Sequence, residues 1–190
     1  MNEVRPVGTM RQPVALGCFL MAAIGAGIIG LAIVLVAWLS SGSTTVALDD
    51  ARAYAVGSIE FVPARNLFVV RLTETEYLAL DDLDAANRAN QGRRCRVQPL
   101  AAADPARAAL VQQYAGRMSP AAAGSTFIFR EACNNAVYDA AGVRLDADGP
   151  NLDRHPVDID EQGRLTVNIA KRVCTERNTA GLSRPRECTP

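Results

Sequence analysis

Histidine is almost missing from this chain: His155 is the only one in 190 residues. A site that needs two imidazoles from one polypeptide is therefore excluded, and no neighbouring cysteine completes a metal set around the single ring. There is no surplus of charge of either sign, with 20 Lys plus Arg against 20 Asp plus Glu. A basic face for nucleic acid is not expected from that balance. Five cysteines are present but no Cys-x-x-Cys pair, which argues against a Cys₄ metal centre. With one histidine and no local nucleophile signature, Ser119, Ser125 and Thr126 have no partner for triad chemistry.

The long apolar run lies near the N-terminus. Val14 to Leu39 carries no charge and as a helix would span roughly 39 Å, against a hydrocarbon core of about 30 Å. The apolar part of a cleavable signal is shorter, about 7 to 15 residues, so a retained transmembrane helix is expected. Arg5 and Arg11 precede the run, while Asp49 and Asp50 follow it, which places the N-terminus in the cytoplasm and the bulk of the chain outside. Gly25-Ala26-Gly27-Ile28-Ile29-Gly30 matches the dinucleotide fingerprint by letters only, since no strand of a βαβ unit precedes it. Ala22, Ala26 and Gly30 share a helical face that would let another helix pack closely.

Cys18 falls in that run, leaving Cys95, Cys133, Cys174 and Cys188 in the outer part, an even number suited to an oxidising compartment. Three pairings exist on paper. A staple between Cys174 and Cys188 suits the polar tail they flank and would contribute about 3 kcal/mol, which leaves Cys95 with Cys133. The remaining pattern predicts short strands over Ala55 to Val62, Leu67 to Leu72 and Tyr77 to Leu80 as a meander. Further strands are expected around Phe127 to Phe129, Val137 to Asp139 and Val143 to Leu145, with a hairpin of Val157 to Ile159 and Leu165 to Ile169. One helix is predicted within Pro105 to Met118, and Ala85 to Arg94 reads as a polar loop.

The carboxylate clusters suggest little chemistry. Asp158-Ile159-Asp160 with Gly163 begins like a calcium loop, but Ile169 stands where the bidentate Glu belongs, so a hairpin turn is expected. Asp146-Ala147-Asp148-Gly149 reads as a solvated loop, and Asp81 with Asp82 as solvent-facing neighbours.

Gly149-Pro150-Asn151-Leu152-Asp153-Arg154-His155-Pro156-Val157-Asp158-Ile159-Asp160, followed by Gly163-Arg164-Leu165-Thr166-Val167, resembles the closing segment of Rieske iron–sulfur domains. Phe68-Val69-Val70-Arg71-Leu72 and Tyr77-Leu78-Ala79-Leu80 resemble the strands that lead to that family's first cluster loop. The likeness covers roughly Ala55 to Ile169 and implies a mainly β fold, a small antiparallel barrel or sandwich behind one transmembrane helix. The membrane-anchored members carry Cys-x-His-x-x-Cys and Cys-x-Cys-His loops, in which one Cys and one His of each ligate iron and the other two cysteines form a disulfide. Placing Cys95 and Cys133 at the disulfide positions puts Asn90, Gly92, Glu131 and Asn134 at the four ligand positions. The resemblance thus implies a degenerate member with no [2Fe–2S] cluster, consistent with the single histidine. His155 is expected to pack, and Tyr138, which matches a family position whose phenol tunes the cluster, to cap the second loop.

The expected organisation is a cytoplasmic tail over 1–13, a membrane helix over 14–39, a linker over 40–54, the Rieske-like domain over 55–170 and a disulfide-stapled tail over 171–190. The implied role is that of a non-catalytic accessory or structural subunit of a respiratory or photosynthetic electron-transfer complex. It would sit in an inner membrane with its main domain periplasmic, its partners being the membrane and other subunits. The alternatives are an atypical iron–sulfur subunit and a freestanding anchored binding module. Arg11 stands beside Gln12, so no twin-arginine pair is present to suggest export in a folded state.

Overall fold

A computed structural model describes residues 44–90 and 95–188. The expected membrane helix over 14–39, with its packing residues Ala22, Ala26 and Gly30, and the ligand position Gly92 lie outside the described residues. Among the described residues no helix is long and apolar enough to cross a membrane.

The centre of the fold is a meander of β2 (Ile59–Val62), β3 (Leu67–Arg71) and β4 (Tyr77–Asp81). Its registers pair Phe61 with Phe68 and Phe68 with Leu80, as the alternating runs predict. Successive residues of a strand face opposite sides of the sheet, and Leu67 to Val70 are all buried. β3 is therefore covered on both faces. Phe68 and Val70 pack with Leu80, Phe129, Tyr138 and Leu152, whereas Leu67 and Val69 pack with Ala79, Leu165 and Val167 on the other side.

Two further sheets supply those covers. On one side β1 (Thr45–Asp50) and β10 (Val157–Ile159) flank β11 (Arg164–Asn168), giving the order β1-β11-β10. The β10–β11 turn is organised by Asp160, whose Oδ1 accepts from Gln162 N at 3.0 Å and Arg164 N at 2.9 Å, the hairpin reading of this acidic stretch. On the other side β5 (Val97–Leu100), β6 (Ile128–Glu131) and β7 (Val137–Tyr138) form an antiparallel sheet. Its far face, through Ile128, Val137 and Leu145, receives Leu110, Val111 and Tyr114 of the helix Pro105–Tyr114. Each fully buried aliphatic or aromatic side chain in these layers contributes roughly 1.5 to 3 kcal/mol of transfer free energy.

The two short helices begin at aspartates. α1 (Ala85–Ala89) is capped by Asp84, and α2 (Pro105–Tyr114) carries Pro in its first turn behind the cap Asp104, whose carboxylate accepts from Ala106 N at 2.9 Å. Proline fits there because the first amides of a helix have no intrahelical acceptor to lose.

Several expectations need correction. The described residues are mainly β and antiparallel, but they form open sheets of three or four strands stacked in layers, with no closed barrel. Thr45–Asp50, expected within a linker over 40–54, is an edge strand with alternating burial. The first meander strand starts at Ile59 instead of Ala55, and Val143 to Leu145 provides only a single bridge, Tyr138 to Arg144. Part of the loop expected from Ala85 is the helix α1. The tail beyond 171 is also structured. β12 (Thr175–Arg177) pairs with β13 (Ser183–Pro185) and with β8 (Gly149–Pro150), in the order β13-β12-β8. Asn151 ties this sheet together, its Nδ2 donating to Thr175 Oγ1 at 2.9 Å and Ser183 Oγ at 3.1 Å.

Candidate functional site

Two loops meet where the resemblance places the vestigial ligands. The first leaves β4, runs through α1 to Asn90 and returns at Cys95. The second joins β6 to β7 through Glu131, Ala132, Cys133, Asn134 and Asn135. Disulfides join Cys95 to Cys133, Cα atoms 5.7 Å apart, and Cys174 to Cys188, 5.3 Å apart. Both lie within the usual span of a disulfide.

Glu131 determines the shape of the second loop. It is fully buried, and its carboxylate turns back on its own chain, accepting from Cys133 N at 2.8 Å through Oε1 and from Asn134 N through Oε2. Two successive amides aimed at one point form an anion cradle, here filled by the side chain two and three residues upstream. Asn135 then takes a left-handed conformation at φ 59°, and its Oδ1 accepts from Arg130 at 2.6 Å. Backbone bonds from Glu131 N to Ala136 O and from Ala132 N to Arg96 O close the loop onto its neighbours.

The first loop is built on buried carboxylates. Asp84 caps α1, accepting from Asn87 N at 2.8 Å, and its second oxygen accepts from the Tyr138 hydroxyl at 3.1 Å. Burial, reinforced by the Asp84 charge, pushes the Tyr138 phenol far above its ordinary pKa, so it serves as a neutral donor. Tyr138, buried on β7 directly after the second loop, thus also ties the first loop to it. Asp82 is also buried and pairs with Arg96, which donates to Asn66 Oδ1 at 2.9 Å. Burial raises the Asp82 carboxyl despite that guanidinium. The reading of Asp81 and Asp82 as solvent-facing is overturned: Asp82 is buried, and Asp81 is half-buried and paired with Arg88 at 2.7 Å. Asp146 likewise forms a half-buried pair with Arg144 at 3.0 Å instead of lying in a solvated loop.

The described residues that the resemblance sets at ligand positions, Asn90, Glu131 and Asn134, carry neither a thiolate nor an imidazole for a [2Fe–2S] group. Asn90 and Asn134 offer amides, and the Glu131 carboxylate already serves two backbone N–H groups. Cys95, Glu131 and Cys133 have potential ligand atoms within 4.8 Å of one another, but the two sulfurs are bonded to each other and are not thiolates. His155 belongs to another neighbourhood. It is buried on β9 (Arg154–His155), opposite Ala79, with Nδ1 3.0 Å from Lys171 O and Nε2 3.3 Å from Asp81. Burial alone would lower its pKa, but the Asp81 carboxylate and the carbonyls of Lys171 and Asn168 hold it above the ordinary value.

Beside the loops lies a cavity of about 300 Å³ walled by Phe61, Phe68, Val97 and Pro99, with Asp82 and Arg96 at its edge. Phe61 is 42% exposed there, which leaves an aromatic ring accessible next to the disulfide-bearing end. Comparison with protein families, with characterised proteins and with solved structures finds no match.

Proposed function

We propose that this chain is a degenerate Rieske-like subunit, a non-catalytic accessory or structural component of a membrane electron-transfer complex. Its anchor is the apolar run over 14–39, and its β domain lies on the periplasmic side of an inner membrane. The observation that carries the reading is Glu131: where the resemblance would put a ligand cysteine, a buried carboxylate accepts from two amides of its own loop. The loop is thereby held in shape by protein groups alone. The Cys95–Cys133 link, at a sequence separation of 38, adds about 4 kcal/mol by chain-entropy reasoning at the same place. The accessible Phe61 and its apolar cavity supply a surface on which another subunit would dock.

A second reading is favoured by one observation, the proximity of Cys95, Glu131 and Cys133. If the disulfide were reduced, two thiolates and a carboxylate would face one another, and an atypical metal site would become chemically reasonable. Iron analysis and low-temperature electron paramagnetic resonance of the detergent-purified, dithionite-reduced chain, alone and with co-purifying proteins, separate the two. Two irons per chain with a signal assigned to this subunit would refute the accessory reading. Absence of stoichiometric iron, with redox subunits recovered in mild detergent, is the expected outcome. Recovery of the chain alone would favour a freestanding anchored module.

A further inference from the structure

A second cavity, of about 480 Å³, opens between the β2–β3 turn and the β4–β9 edge. It is lined by Arg65, Arg88, Arg172, Asp81 and His155, with Leu67 and Ile169 among its apolar walls. Behind it sits Asp153, whose side chain is fully buried. Three guanidiniums converge on this one carboxylate: Arg88 pairs with Oδ2, Arg186 donates to Oδ1 at 2.6 Å, and Arg172 stops 4.0 Å away. Arg88 also spans to Asp81, and its remaining contact is the carbonyl of Leu83 at 3.0 Å. Arg65, Arg88 and Arg172 line the cavity against the single carboxylate of Asp81, while Arg186 offsets Asp153 behind it, so positive charge is in excess around the concavity.

Arg172 is the informative member. At 4.0 Å it is attracted to Asp153 but beyond hydrogen-bond range, so the interaction positions the guanidinium without using its donors. Its side chain is 28% exposed, recessed yet open to the cavity. Arg65 also lines the cavity, from the exposed turn between β2 and β3. Planar guanidinium forks suit bidentate contacts to oxyanions, and a recessed, partly apolar setting strengthens them relative to open water.

We propose that this cavity binds a phosphoryl group, held between Arg172 and Arg65, with Arg88 fixed by Asp81 and Asp153 as the floor of the site. The ligand is a small phosphate-bearing molecule or a phospholipid headgroup, and the recognition chemistry is the same for both.

The full-length chain in neutral detergent is titrated with inorganic phosphate and with pyrophosphate at constant ionic strength, and binding is read by calorimetry and by the thermal midpoint. Saturable binding is expected, with affinity falling about tenfold in Arg172→Gln and in Arg65→Gln. Arg65→Gln breaks no ion pair seen among the described residues and Arg172→Gln removes only the 4.0 Å attraction to Asp153, so unaltered unfolding without phosphate is required of both variants. Titration of the detergent-held chain with short-chain phosphatidic acid against short-chain phosphatidylcholine identifies the source. Binding of the former that depends on Arg172 assigns a headgroup, whereas phosphate binding without phosphatidic acid binding assigns a soluble ligand. No saturable binding of any probe, equal stabilisation by chloride, or variants that bind as wild type would overturn the site.

Discussion

Glu131→Gln tests whether the buried carboxylate is a built-in anion for its own loop. The wild-type group accepts two backbone N–H bonds, and a hydrogen bond to a charged group contributes about 1.5 to 3 kcal/mol. Glutamine keeps one carbonyl oxygen, so one amide retains a neutral bond of about 1 kcal/mol. The other amide then faces an NH₂ group and loses its acceptor in a fully buried setting. The expected loss of stability is about 2 to 5 kcal/mol. Urea unfolding of the oxidised protein, followed by near-ultraviolet circular dichroism, measures it through the tyrosines, of which Tyr54 and Tyr138 are buried. Intact disulfides in the variant are checked by mass spectrometry. A variant within about 0.5 kcal/mol of wild type would refute the role assigned to Glu131.

Replacing Cys95 and Cys133 together by serine is expected to cost about 4 kcal/mol, read as a lower denaturant midpoint, and a change under 1 kcal/mol would show that the loops are held without the link. Tyr138→Phe removes the donor to buried Asp84 and is expected to cost about 1 to 3 kcal/mol; in a double-mutant cycle with Asp84→Asn the coupling should exceed about 0.5 kcal/mol. His155 has a pKa raised in the folded protein, so the native state binds the extra proton. Its contribution to stability is full below the unfolded value near 6.5 and is lost as pH rises through the folded pKa. The unfolding midpoint should therefore fall as pH rises above about 6.5 and through the raised folded pKa, and His155→Gln should flatten that slope.

The meander was legible because Leu67 to Val70 and Tyr77 to Leu80 are apolar runs bounded by polar turns, which leave one economical arrangement. The β10–β11 hairpin was legible for the same reason, with Asp160 and Gly163 marking the turn. β1 was not, because Thr45–Asp50 ends in two aspartates and buries its alternate residues only partly. β12 and β13, reading Thr-Glu-Arg and Ser-Arg-Pro, have no apolar period at all. They are held by backbone pairing, by Asn151 and by the Cys174–Cys188 link, none of which leaves a local pattern. At the site, alignment on Cys133 pointed to Glu131, but what its carboxylate does depends on a turn that only the backbone reveals. The arginine cluster was equally hidden: Arg88 lies far in sequence from Arg172 and Arg186, and what the three share is Asp153. Neighbouring carboxylates were read as solvent-facing because nothing local identifies distant cations as their partners.

The pairing of β1 with β11 sets a timetable for folding. Thr45 lies opposite Asn168, so the first strand finds its partner only after almost the whole described chain has been made. The meander closes over short loops and can form early, but the layer that covers Leu67 and Val69 needs Leu165 and Val167 from the far end. Such long-range closure is slow and leaves apolar strand faces open while the chain waits. A chain truncated before β11 would lose the strand that β1 and β10 share and expose one face of β3. Aggregation of such fragments, instead of a stable smaller domain, is the consequence of pairing β1 with a strand so late in the chain.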